Sequence, residues 1–211
     1  MNALLFAPSG GGKTVNSTLV KADKRKKNVL ICTDNSSIVL KNFERPNLDI
    51  VDVHTAKDFV DTYHRCCDEK KYDNIILDNL SDLFDMWILE MAEDPKAAKD
   101  VRQHYQIVYQ ALKRLTREST AAESNTIFTC WSDIQQITLP DGSQVQRMQP
   151  KLPYKILDNV CGLMNVVGLV TSAMDGDKKR WYYALEGSQT LMAKDQIGCR
   201  KSCLPENLFT L

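Results

Sequence analysis

The segment Ala7-Pro8-Ser9-Gly10-Gly11-Gly12-Lys13-Thr14 constrains this chain more than any other stretch. A short apolar run, residues 4–7, leads into it, and a helical pattern over about residues 13–21 leaves it. Three consecutive glycines between a strand and a helix mark a tight strand-to-helix turn, the opening of a βα unit. A chain that starts this way is predicted to go on alternating strands and helices around a parallel sheet.

The remaining pattern agrees. Residues 28–33, 48–53, 74–78 and 126–131 read as strands, and residues 56–67 as a helix. Their nearly unbroken apolar character fits parallel strands buried on both faces. Leu80, Leu83, Phe84, Trp87, Ile88 and Met91 share one helical face. Val101, Tyr105, Val108, Ala111, Leu112 and Leu115 share another after a break at Pro95. Core packing explains such stripes better than base stacking or partner docking. Residues 134–138 and 144–148 flank the turn signal Leu139-Pro-Asp-Gly-Ser143, a hairpin or a mobile loop. Residues 166–170 and 180–185 read as an antiparallel pair joined at Asp175-Gly176-Asp177. No repeat or long linker divides the chain, so one α/β domain over residues 1–211 is expected.

Composition narrows the setting. The 27 basic and 27 acidic residues cancel, so bulk charge does not draw nucleic acid, and contact must come from local patches or an assembly. No apolar run approaches the ~18 residues of a membrane span, and the N-terminus lacks the basic flank of a signal peptide. Seven scattered cysteines fit reduced thiols and a cytoplasmic location. Cys199-x-x-x-Cys203 has no second pair with metal-site spacing.

The glycine segment departs from G-x-x-x-x-G-K-[ST] only at Ala7. Ser9, Gly10, Gly11 and Gly12 are expected to turn successive backbone N–H groups toward phosphate oxygens, helped by the helix N-terminus. Lys13 reaches the β- and γ-phosphates, and the Thr14 hydroxyl ligates Mg²⁺. A phosphate loop needs a carboxylate on a neighbouring strand to hold that metal. Asp78, closing the run Ile75-Ile-Leu, suits this role, and it also suits capping the helix that starts at Leu80. Asn79 follows it, where many such ATPases carry a water-activating glutamate.

Ala7–Thr14, the strand ending at Asp78, the strand at Ile127, Pro150-Lys-Leu-Pro153 and Ala193-Lys194-Asp195 together resemble the phage-encoded RecA-like ATPases, several of which are single-strand annealing recombinases. The resemblance spans nearly the whole chain. It implies a minimal RecA-like core lacking an extra N-terminal domain. It also implies ATP and Mg²⁺ as ligands, ring or filament self-association, single-stranded DNA as partner, and the host cytoplasm as location. Gln196 stands where the family has arginine, and Trp131 where it has a smaller or histidine-like residue.

The resemblance also assigns roles. RecA-like proteins carry an acid just past the strand after the phosphate-loop helix, which makes Asp34 the candidate base. An ordinary turn or cap is the competing reading of that Asp-Asn-Ser-Ser cluster. The strand at residues 126–131 lies one step beyond, and Ser132 and Asp133 at its end are candidate γ-phosphate sensors. Gln136, Gln144, Arg147 and Lys151 fall where the family keeps its DNA-binding loops, with a plain solvated hairpin as the alternative. Lys178 and Arg180 are candidates for a cation inserted into a neighbouring subunit's site, for DNA contact, or for a solvated turn.

Three functions follow. The first is an ATPase acting on single-stranded DNA in annealing or strand exchange. The second is a DNA-annealing or assembly module switched by ATP with little turnover. The third is a small-molecule phosphotransferase, disfavoured because Pro140 to Lys155 holds one arginine where a kinase lid holds several.

Overall fold

The computed structural model describes residues 1–22, 26–94 and 100–210, so the expected break at Pro95 lies outside the described residues. The strands are β1 (Asn2–Ala7), β2 (Lys27–Cys32), β3 (Leu48–Asp52), β4 (Tyr72–Asp78), β5 (Asn125–Thr138), β6 (Gln144–Pro150), β7 (Val166–Asp175), β8 (Lys178–Ala184), β9 (Lys194–Asp195) and β10 (Ser202–Cys203). The helices are α1 (Lys13–Ser17), α2 (Ala56–Glu69), α3 (Leu80–Glu93), α4 (Val101–Ala121) and α5 (Tyr154–Leu163).

The main sheet runs β10-β8-β7-β1-β5-β4-β2-β3, with β6 hung on β5 and β9 on β7. Pairing is parallel from β7 through β3 and antiparallel for β7–β8, β8–β10, β5–β6 and β7–β9. The expected parallel α/β sheet with antiparallel strands toward the C-terminus is therefore the fold. One face packs on α2, α3, α4 and α5 through Leu4, Phe6, Ile31, Leu77 and Phe128. The other carries Ala3, Leu5, Leu30, Ile76 and Ile127 under α1 and the C-terminal segment. Alternation within β1 decides which side chain serves which layer.

Strands β1, β2, β4 and β5 each carry an asparagine within their first three residues. Asn74 Nδ2 donates to Asn28 Oδ1 at 2.8 Å and to Lys21 O at 3.0 Å, and Asn125 Nδ2 donates to Asn74 Oδ1 at 2.9 Å. Asn2 donates through Nδ2 to Ser119 Oγ at 3.0 Å. This polar ladder across the strand starts fixes register at the end of the sheet away from the glycine loop.

Three expectations need correction. The helix after the loop ends at Ser17, not near residue 21. Asn16, Ser17 and Thr18 turn their side chains back onto the carbonyls of Gly12, Thr14 and Val15, competing with the helical ladder. The strand expected to stop at Trp131 continues to Thr138, leaving the main sheet to form one arm of the β5–β6 hairpin. Finally, Val101 and Tyr105 stay 58% and 38% exposed, whereas Val108, Leu112 and Leu115 of the same stripe are buried. Tyr105 packs instead at the surface, with Phe84 and Tyr109 at ring-centroid distances of 6.0 and 6.1 Å. Among the described residues, no helix is long and apolar enough to cross a membrane.

Candidate functional site

The loop between β1 and α1 has a shape that only glycine permits. Gly12 has a φ of 76°, and a Cβ on it would lie 2.8 Å from Asn16 Nδ2 and 2.9 Å from Trp181 Cη2. A Cβ on Gly11 would lie 2.7 Å from that of Ala7. All three contacts are too close for a real Cβ, so the backbone itself forms the wall of the cradle. Lys13 folds back over this loop, with Nζ donating to Ala7 O at 3.2 Å and Pro8 O at 3.0 Å. Burial pushes its ammonium group below the usual lysine range, against the opposing pull of Asp78 and Asp34. Ser9 and Gly10 stand at the exposed crest of the loop.

Asp78 is 1% exposed at the end of β4. Its Oδ2 accepts from Thr14 Oγ1 at 2.6 Å and from Ser36 Oγ at 2.8 Å, and its Oδ1 accepts from Thr129 Oγ1. Burial raises its carboxyl above the usual range, while these three hydroxyls work in the opposite direction. The expectation of a carboxylate on a strand next to β1 needs correction, because β5 lies between β1 and β4. Thr129 on β5 spans that gap. The helix-capping role also belongs elsewhere: Asn79 caps α3 by accepting from the Asp82 backbone N–H at 2.8 Å.

Asp34 lies just beyond β2 in the same cluster, close enough that its charge acts on both Lys13 and Asp78. Its Oδ1 accepts from the Ser36 backbone N–H at 3.0 Å, and its Oδ2 from Asn79 Nδ2 at 3.1 Å. The first bond is the ordinary turn that was the competing reading of the sequence. Thr33 Oγ1 donates to Asp82 Oδ2 at 2.5 Å alongside it.

The remaining candidates are more dispersed. Past Trp131, β5 runs with β6, where Ser132 pairs with Pro150 and Asp133 accepts from the Ile134 N–H at 2.9 Å and from the Gln135 amide. The β5 hydroxyl that reaches Asp78 is Thr129, which sequence reasoning missed; a lone polar residue within Ile127-Phe-Thr-Cys130 was its signal. Gln136 and Gln144 meet near the hairpin tip at 2.5 Å. Arg147 pairs with Gln135 on the hairpin's other face, lining a cleft with Tyr154, Leu157 and Asp158 of α5. Lys151 sits at the hairpin base, its Nζ 5.1 Å from the Trp131 ring centre. On β8, Trp181 meets Gly12, Tyr183 Oη donates to Asn16 O at 2.9 Å, and Lys179 Nζ lies 4.3 Å from the Trp181 ring centre. Strand alternation therefore turns Lys178 and Arg180 away from this chain's own loop, and Arg180 pairs with Asp175 at 3.2 Å.

Among the described residues, no group of three or more His, Cys, Asp or Glu side chains is placed to hold a metal ion. Mg²⁺ asks for less, since it needs few protein oxygens when phosphates and water supply the rest. The Thr14 hydroxyl against Asp78 offers that oxygen pair beside the glycine cradle and Lys13, so the residues fit a Mg²⁺-nucleotide. No curated protein matches the chain. A family model described as AAA domain matches residues 1–197, nearly the whole length. The cradle, Lys13 and Asp78 thus sit in a protein that belongs to the AAA domain family of P-loop, nucleotide-binding ATPases.

Proposed function

We propose that this chain is a Mg²⁺-dependent, RecA-like ATPase, a single domain over residues 1–211, that self-associates and acts on single-stranded DNA. The observation that carries the reading is the Asp78 cluster. One buried carboxylate gathers Thr14 of the phosphate loop, Ser36 beyond β2 and Thr129 of β5, with Asp34 beside it.

In this reading the loop N–H groups and Lys13 hold the β- and γ-phosphates, and Thr14 and Asp78 hold the metal. Mg²⁺, when bound, offsets the negative charge of the phosphate oxygens. Asp34 accepts a proton from the attacking water as its oxygen bonds to the γ-phosphorus and ADP departs. Gln136, Gln144 and Arg147 of the hairpin, with Lys151 at its base, contact DNA phosphates and bases. Lys178 and Arg180, turned outward, are placed to reach a neighbouring copy. Ser132 and Asp133 remain sensor candidates only for a rearranged hairpin, because Asp133 bonds within β5.

The deciding experiment measures ATP hydrolysis and molecular mass with and without single-stranded DNA, for the wild type and Lys13→Ala. DNA-stimulated turnover that vanishes in Lys13→Ala supports the reading. Turnover and mass both indifferent to DNA would remove its central support. Asn79 in place of an acid favours a second reading, an annealing or assembly module with little turnover. Strand annealing that persists in Lys13→Ala selects that one.

A further inference from the structure

A helix cap needs only an acceptor. Serine, threonine and aspartate cap as well as asparagine does, within tenths of a kcal/mol to about one. Asparagine alone among these four adds an amide donor. At position 79 that donor is used. The side chain is 1% exposed, its Oδ1 is anchored on the Asp82 N–H at 2.8 Å, and its Nδ2 points to Asp34 Oδ2 at 3.1 Å. Asp82 is itself fixed by Thr33 Oγ1 at 2.5 Å, one residue before Asp34. The end of β2 and the start of α3 are thus clasped by two side-chain bonds from adjacent residues.

Asp34 is exposed, and an exposed carboxylate turns freely about its terminal torsion. Here the Ser36 N–H takes one oxygen and Asn79 the other. We infer that Asn79 is a positioning residue for hydrolysis, whose amide holds the Asp34 carboxylate in place to receive the proton of the attacking water. An acid at position 79 would instead set a second negative charge against Asp34. The inference rests on the reading of Asp34 as the base. It gives a reason for asparagine where related enzymes carry glutamate: the acid sits just beyond β2, and the residue that follows β4 supplies its support.

The test uses the full chain with Asn79→Ser, Asn79→Asp and Asp34→Asn. Serine keeps the cap without adding charge, so its melting temperature is expected within about 3 °C of wild type, whereas aspartate keeps the cap but buries a second carboxylate beside Asp34 and is expected to melt lower. Affinity for ADP with Mg²⁺ is expected to be unchanged. Affinity for ADP, Mg²⁺ and aluminium fluoride, which mimics the phosphoryl group in flight with its water in line, is expected to fall about tenfold or more. kcat falls by about 10–100-fold with KM little altered. The analogue measurement decides the matter even where turnover is slow. Asn79→Ser that binds the analogue as tightly as wild type and keeps its turnover overturns the inference. If Asp34→Asn loses both properties while Asn79→Ser keeps them, positioning by Asn79 fails and Asp34 stands. If Asp34→Asn keeps both, the base assignment itself fails, and the inference with it.

Discussion

Ser36 joins the two carboxylates of the site, donating its backbone N–H to Asp34 Oδ1 at 3.0 Å and its hydroxyl to Asp78 Oδ2 at 2.8 Å. One residue thereby sets the spacing between the proposed metal-holding carboxylate and the candidate base. Ser36→Ala keeps the backbone bond and removes the hydroxyl. A hydrogen bond to a charged acceptor contributes about 1.5–3 kcal/mol, so Mg²⁺-dependent nucleotide affinity is expected to fall tenfold or more. Calorimetry with Mg²⁺ and with chelator checks this, since weakening of equal size in chelator would place the effect outside the metal site.

Asp78 carries a stability cost that its proposed metal-holding role would explain. Burial raises its carboxyl, so the folded chain holds that proton more tightly than the unfolded chain does. Stability from this group is full below the ordinary aspartate value of about 3.9 and is lost as pH rises from there through the raised folded value. Asp78→Asn removes the ionisation and keeps the shape. It is expected to melt higher than wild type near neutral pH, by about 2–4 °C for each kcal/mol recovered, with the gap closing toward about pH 4. Thermal melts with added Mg-ATP should show the opposite order, because the ligand stabilises the wild type and not the variant.

Arg200 anchors the C-terminal segment. Its Nε pairs with Asp195 Oδ2 at 2.6 Å, and its Nη atoms donate to the carbonyls of Asn207, Leu208 and Thr210 at 2.8–2.9 Å. Burial alone would raise the Asp195 carboxyl, but Arg200 and three backbone N–H groups bring it down to about 2. That stabilisation is present above the ordinary aspartate range and fades as pH falls toward about 2. Arg200→Ala leaves a buried carboxylate without its countercharge, held only by backbone N–H groups, and should cost about 3 kcal/mol in urea unfolding near neutral pH. A loss below about 1 kcal/mol would show the clamp to be dispensable.

Asn74 tests the ladder at the strand starts. It is fully buried, donating twice and accepting once. Asn74→Leu strands Asn28 Oδ1, Asn125 Nδ2 and a backbone carbonyl, at about 1–3 kcal/mol for each group left unsatisfied. Denaturant titration should show the loss with an unchanged slope, and nucleotide affinity per folded molecule should hold, because the ladder lies at the opposite end of the strands from the phosphate loop.

Much of this site was legible in order along the chain. The glycine run followed by Lys13 and Thr14 is a local signal, since a strand, a turn and a helix N-terminus are neighbours in sequence. Asp78 could be found because an acid ending an apolar run stands out from its own neighbours. Thr129 and Ser36 were not found, although Thr129 breaks an apolar strand. Their roles arise only from which strand lies beside which. The asparagines near the starts of β1, β2, β4 and β5 were also open to view, but their meaning depends on lateral pairing. The α1 terminus was misplaced because back-bonding by Asn16, Ser17 and Thr18 competes with helix propagation more strongly than composition suggests.

The sequence by itself determined the βα rhythm, the phosphate loop and the identity of its lysine, threonine and distant aspartate, because periodicity and glycine chemistry act over a few residues. Tertiary structure alone decided that β5 enters between β1 and β4, bringing Thr129 onto Asp78. It also decided that Asn79 holds Asp34 and that β8 presses Trp181 against Gly12. Strand order and side-chain facing come from how two apolar layers close over one sheet, a choice shared by the whole chain and written in no single segment of it.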